Sequence, residues 1–319
     1  MEPDRRTAAL AWGEVSYLEW RPAPATAASA TPASATPAPA TPASATPASA
    51  TPASTVLLLH GGGLDSAWLS WGSVGGELAA AGHRVIAPDH PGYGHTRKAP
   101  WRASQEHLLG YLDELVRVLE LDRFALGGLS MGAGLALGHV LAHPSRVSAL
   151  MLLGAYGLSP VLMEGRWSTA AQLASWAATR TGMLEGISRA TARNRALLER
   201  SLRPVLRNPE QRTPELIDAV MEEARRGSGI VAFGEFQRDQ VGLRRQTTDY
   251  SARLATITTP TLVVHGERDT GVPAAIARRA AASMPGARIV VVPDAGHWVQ
   301  RDRPEIVVPA MLGFLDGLA

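Results

Sequence analysis

Short, unbroken apolar runs punctuate this chain, separated by longer stretches in which apolar residues recur every three or four positions. Residues 56–59 (Val-Leu-Leu-Leu) and 85–87 (Val-Ile-Ala) are runs of the first kind. A segment apolar on both faces suits a strand covered from both sides of a parallel sheet. Residues 123–128, 147–153, 261–264 and 288–292 carry the same signal. Between these runs, residues 72–81 and 131–142 read as helices, the second stopped at His143-Pro144 because the residue before a proline resists helical backbone. Ser104 is placed to cap a helix whose Leu108, Leu109, Leu112, Leu115, Val116 and Leu119 share one face. A further helix begins near Pro273. The last one is predicted to have Asp302 as N-cap, Pro304 in its first turn and Glu305 completing a capping box. Pro309 inside it is expected to force a kink or a restart. Strands and helices in alternation specify the α/β class, with a mostly parallel sheet covered on both faces. Upstream, residues 7–12 and 14–20 alternate apolar and polar positions and meet at Gly13-Glu14, which predicts an antiparallel pair near a sheet edge.

The alternation is interrupted twice. Residues 22–54 repeat the unit ATPAS and offer no apolar face, so an extended, mobile loop is expected there. From 157 to 250 the strand signal stops, and helices are predicted over 168–181, 186–205, 213–226 and 230–238. That insertion is long enough to be a helical lid. The core then comprises residues 1–156 and 251–319, with the lid at 157–250 and the 22–54 tract as a disordered insertion. Arginines scattered through the lid are expected to solvate its outer face.

Composition excludes several functions. With 31 basic and 29 acidic side chains the formal charge is only +2, which leaves no nucleic-acid footprint. There is no cysteine, so neither a Cys nucleophile nor a thiolate metal site is possible. No apolar stretch approaches a membrane span, and the start lacks an apolar leader core, so no membrane partner and a cytoplasmic location are expected. No metal or cofactor is called for.

The candidate chemistry centres on Gly128-Leu129-Ser130-Met131-Gly132, between a predicted strand and a predicted helix. A serine on so sharp a turn needs small residues two positions to either side, and glycine meets that demand. A serine hydroxyl is a poor nucleophile unless a base takes its proton and a carboxylate orients that base. His297 is the one histidine in a loop after a terminal strand; His60, His90 and His265 sit in tight turns suited to local hydrogen bonding. Asp269, just past another strand, is the first choice of carboxylate, with Asp294 and Glu267 as competitors. Both Asp269 and His297 fall at carboxyl ends of strands, the rim where open parallel sheets bind ligands. A tetrahedral intermediate also needs amide donors. Met131 N–H, opening the elbow helix, is one; Gly62 N–H in the loop after Leu59 is the other, with Gly63 as its substitute. Trp68, Trp71, Trp167 and Trp298 are candidates to line an apolar acyl pocket.

HGGG at 60–63, DHPGYGHT at 89–96, GLSMG at 128–132, HGERD at 265–269 and GHW at 296–298 occur in that order. Together they resemble an α/β-hydrolase-fold enzyme of the lid-bearing esterase and C–C hydrolase type, from about residue 55 to the end. The resemblance implies an eight-stranded sheet with its second strand antiparallel, a helical cap after the sixth, and a Ser130–His297–Asp269 triad. It supports Gly62 as an oxyanion donor. It also implies a serine hydrolase acting on a small-molecule acyl substrate such as an ester, thioester or lactone. Cleavage of a carbon–carbon bond in a vinylogous diketone is the alternative, and a non-catalytic ligand-binding module on the same fold is another.

Overall fold

The computed structural model describes residues 1–23, 54–163 and 165–318. The body of the Ala/Pro/Thr/Ser tract, expected as a mobile loop, lies outside the described residues. Among the described residues eight strands form one sheet: β1 (Asp4–Leu10), β2 (Gly13–Trp20), β3 (Thr55–Leu59), β4 (Arg84–Pro88), β5 (Phe124–Leu129), β6 (Val147–Leu153), β7 (Thr261–Gly266) and β8 (Arg288–Val292). Their order across the sheet is β1-β2-β4-β3-β5-β6-β7-β8. Only β2 runs against its neighbours, pairing antiparallel with both β1 and β4. β1 starts three residues earlier than its apolar pattern suggests. The charged residues that hid it are held internally: Arg5 pairs with Asp89 at 3.1 Å and Arg6 with the buried Glu19 at 2.7 Å.

The unbroken apolar runs supply two cores, because successive strand side chains point to opposite faces. Leu57, Leu59, Leu126 and Leu152 join one cluster with α2 (Gln105–Val118), α3 (Met131–Ala142) and α9 (Ala274–Ser283). Val56, Leu58, Met151 and Val264 join the other with α1 (Ala67–Ala80) and α11 (Pro304–Asp316). Ser104 caps α2 as its sequence indicates, accepting from His107 N–H. α1 begins earlier than predicted, because Ser66 caps it by accepting from Leu69 N–H.

One reading of the C-terminal segment is corrected. Asp302 does not cap α11: it closes a short helix, α10 (Val299–Asp302), and its carboxylate accepts from the backbone amides of Gly296, Arg207 and Asn208. Residue 303 occupies the N-cap place with no side-chain bond. α11 also runs through Pro309 without a restart.

Between β6 and β7 come α4 (Ser168–Arg180), α5 (Met183–Ala192), α6 (Arg195–Leu202), α7 (Pro214–Arg226) and α8 (Ser228–Gln240). The helix expected over 186–205 is two helices, because Asn194 leaves the helical path and caps α6 by accepting from Leu197 N–H. α7 and α8 hold the insertion to the core. Glu223 accepts from Gly94 N–H at 3.0 Å while Arg226 donates to Gly94 O at 3.1 Å. Glu235 and Asp239 accept from Ala103 and Gln105 N–H. Among the described residues no helix is long and apolar enough to cross a membrane.

Candidate active site

The turn from β5 into α3 forces Ser130 to φ 52° and ψ −114°. A side chain with positive φ is strained and persists only where surrounding contacts fix it. Here the bonds come from β6 and α3: Ser130 N–H donates to Leu153 O at 2.9 Å, and Ser130 O accepts from Gly134 N–H at 3.0 Å. The two glycines are required by backbone contact. A Cβ on Gly128 would stand 2.4 Å from the Gly132 carbonyl, and one on Gly132 would stand 2.3 Å from Leu59 O. The serine is left half-exposed at the rim of the sheet.

Asp269 follows β7, two strands away, and His297 follows β8, three strands away. Their side chains meet, with His297 Nδ1 2.7 Å from Asp269 Oδ2. A carboxylate only accepts, so this contact places the proton on Nδ1 and leaves Nε2 as the free, basic nitrogen. Asp269 is itself oriented, since its Oδ1 accepts from Gly271 N–H at 2.7 Å and Val272 N–H at 2.9 Å. Burial alone would raise this carboxyl; the hydrogen bond from His297 and the nearby imidazoles outweigh it and hold it below its ordinary value. The competitor Asp294 turns away, 60% exposed and paired with Arg268 at 2.9 Å. The imidazole lies against the end of β6: a Cβ on Gly154 would stand 3.2 Å from its Nδ1 and Cε1. Gly154 follows Leu153, the residue whose carbonyl takes Ser130 N–H. The serine thus sits at the end of β5, and the imidazole ring packs against the end of the neighbouring β6.

Met131 N–H opens α3, whose N-cap Ser130 makes no side-chain capping bond. The loop after β3 is braced from below. Asp65 accepts from Gly61 N–H at 2.8 Å, from Ser66 N–H and from Ser70 Oγ. Burial raises its carboxyl to about 6. His60 Nδ1–H donates to Gly61 O, and His60 Nε2 accepts from His90 N–H. These bonds occupy the Gly61 amide and carbonyl. Gly63 adopts φ +82°. Gly62 lies directly under the insertion: a Cβ there would fall 2.2 Å from the Phe233 ring of α8.

The four tryptophans do not gather around this point. Trp71 is sealed in the core, and Trp298 packs in the same cluster. Trp167 is 62% exposed, with the Arg166 guanidinium 5.2 Å from its ring centroid. Trp68 is partly exposed and offers its carbonyl to Arg301. The aromatic residue over the loop is instead Phe233, stacked on Phe236. A small crevice of about 40 Å³, lined by Tyr156, Leu158, Val161, Gly271 and Val272, opens beside the Asp269 loop.

One group among the described residues has the ligand types for a metal: Asp113, His139 and His143, on α2 and at the end of α3. His139 Nδ1 already lies 2.8 Å from Asp113 Oδ1. A cation on Nδ1 would move the ring proton to Nε2, which is buried without a partner.

A sequence model of the family described as alpha/beta hydrolase fold matches residues 54–304. A 2-hydroxy-6-oxononadienedioate/2-hydroxy-6-oxononatrienedioate hydrolase of Cupriavidus pinatubonensis is 29% identical over 265 residues, covering 82% of this chain and 86% of its own length. A 2-hydroxy-6-oxononadienedioate/2-hydroxy-6-oxononatrienedioate hydrolase 2 of Pseudomonas putida is 30% identical over 268 residues, covering 82% of this chain and 87% of its own length. Among solved structures, an esterase from Thermogutta terrifontis gives a TM-score of 0.66 at 21% identity, over 100% of this chain and 99% of that one. A meta-cleavage product hydrolase from Pseudomonas fluorescens gives 0.72 at 20% identity, over 98% of each.

Proposed function

From the premise that the chain belongs to the alpha/beta hydrolase fold family, we propose that it is a serine hydrolase working through an acyl-enzyme on Ser130. The observation that carries this reading is the 2.7 Å contact of His297 Nδ1 with a buried, oriented Asp269, on the same sheet rim as a serine in an elbow. Ser130 Oγ bonds to the substrate's carbonyl carbon while its proton passes to His297 Nε2. Asp269 stabilises the imidazolium and keeps the ring in register. The amides of Met131 and Gly62, with Gly63 as the alternative, hold the oxyanion. When the tetrahedral intermediate collapses, the bond to the leaving group breaks and that group takes the proton from His297. Water, deprotonated by the same imidazole, then cleaves the acyl-serine and releases the acid.

Nothing in these steps requires an oxygen leaving group. A carbon leaving group serves too once the dienol has ketonised: the 2-hydroxyl loses its proton and C5 gains one, so that the electron pair left on C5 when the bond to C6 breaks is conjugated through C3=C4 with the 2-oxo group. The names of the curated relatives favour that alternative over the ester, thioester or lactone that the motifs first suggest. The proposed substrate class is accordingly a 2-hydroxy-6-oxo-dienoate, a vinylogous diketone cleaved beside its 6-oxo group. Simple esters form the second reading, because the acyl-enzyme steps are shared. The two separate in one assay: purified protein is given a 2-hydroxy-6-oxo-dienoate and, in parallel, a chain-length series of p-nitrophenyl esters. Loss of the dienoate chromophore at a kcat/KM above that for any ester is expected. Turnover of esters with the dienoate untouched would overturn the carbon–carbon reading.

A further inference from the structure

We propose that Asp302 is a positioning residue that sets the backbone around His297 and fastens it to the helical insertion; this rests on the triad reading above. Asp302 is fully buried, and among the described residues its carboxylate is met by three backbone amides. Oδ2 accepts from Gly296 N–H at 2.6 Å and from Arg207 N–H at 3.0 Å, and Oδ1 accepts from Asn208 N–H at 2.6 Å. One donor immediately precedes the imidazole-bearing residue; the other two lie in the insertion, between α6 and α7. On the far side of His297, Trp298 N–H donates to Val205 O at 3.0 Å. A Cβ on Gly296 would stand 2.5 Å from that same Val205 oxygen, so the two chains touch backbone to backbone.

Both neighbours of His297 are thus pinned to residues 205–208, one directly and one through a single carboxylate. The carboxylate is itself held in place: Asp302 N–H donates to Trp298 O, and the preceding Gln300 and Arg301 bond to carbonyls of α1. This junction makes the position of the imidazole depend on the root of the insertion. An asparagine at 302 keeps the shape but replaces one acceptor oxygen with a donor facing an amide N–H.

The test compares Asp302→Asn with the unaltered protein in steady-state kinetics, thermal melting and proton NMR of the His297 Nδ1–H resonance. A fall in kcat of about a hundredfold is expected, the scale set by a displacement of roughly 1 Å at a catalytic group. KM should change little, and the Nδ1–H resonance should shift or broaden. Unchanged kcat and resonance, with only a lower melting point, would overturn the proposal and leave Asp302 a purely structural residue. Should Asp302→Asn fail to fold, Asn208→Pro removes one N–H donor to Oδ1 at a position whose φ of −65° already suits proline. Asn208→Ala controls for the lost side-chain cap. A kcat deficit confined to the proline variant supports the junction, and equal kcat in both contradicts it. His297→Ala distinguishes the two layers: full turnover by that variant would sink the triad reading, whereas its inactivity beside a fully active Asp302→Asn would sink only this proposal.

Discussion

Asp269 and His297 are 28 residues apart in sequence and 2.7 Å apart in space, each presented by the loop after one of two adjacent parallel strands. The carboxylate is buried, its other oxygen is occupied by two backbone amides, and the imidazole keeps one nitrogen free. That arrangement fixes a tautomer, which is the service a general base needs from its partner.

Asp269→Asn should therefore lower kcat by roughly three to four orders of magnitude, since an amide favours the wrong imidazole tautomer. Asp294→Asn should leave turnover unchanged, because that side chain is exposed and paired with Arg268. Steady-state kinetics on the two variants checks both. Comparable losses in the two would contradict the assignment of partner.

Gly128→Ala and Gly132→Ala should each destabilise the protein by more than the ~1–3 kcal/mol of ordinary overpacking, because the added carbon meets backbone and not a movable side chain. Melting temperatures, or soluble yield where the variants do not fold, read the effect. Wild-type stability in either would show that the turn relaxes more readily than its contacts indicate.

Much of this was legible in the sequence for a physical reason. The elbow, the strand-end carboxylate and the strand-end imidazole are each dictated within about ten residues, by sterics and by where an apolar run stops. The residues that sequence misplaced depend on distant partners. Asp302 followed by Pro304 and Glu305 has the spacing of a capping box, but its carboxylate goes to amides nearly a hundred residues upstream. The start of β1 was masked by Arg5 and Arg6, whose charges are met by Asp89 and Glu19. Trp71 and Trp298 are as apolar in a core as in a pocket, and only packing decides which. Phe233 over Gly62 had no local signal beyond lying in the insertion.

Stability should depend on pH through the buried Glu223 carboxyl. Burial raises the Glu223 carboxyl to about 7, with the Gly94 amide opposing and the charge of Asp89 adding to the rise. A carboxyl whose folded value exceeds its unfolded one near 4.5 contributes its stability in full below that pH. The contribution is lost as pH rises through about 7. Asp65, raised to about 6, gives a slope of the same sign. Melting temperature should therefore fall across this range, by an amount on the order of a few kcal/mol in stability, and Glu223→Gln should reduce the slope. An identical slope in that variant would remove Glu223 from the account.

Phe233→Ala should open the space above Gly62 and shift selectivity toward bulkier acyl groups, raising kcat/KM for long p-nitrophenyl esters relative to short ones. A chain-length series measures this. An unchanged ratio would mean that Phe233 does not border the bound acyl group.

The most direct measurement is covalent labelling of the nucleophile. Protein treated with a fluorophosphonate probe and digested for mass spectrometry should carry a single adduct, on Ser130, that disappears in Ser130→Ala together with hydrolysis of every substrate the unaltered enzyme accepts. An unlabelled Ser130 in folded protein, or full turnover by Ser130→Ala, would contradict the account.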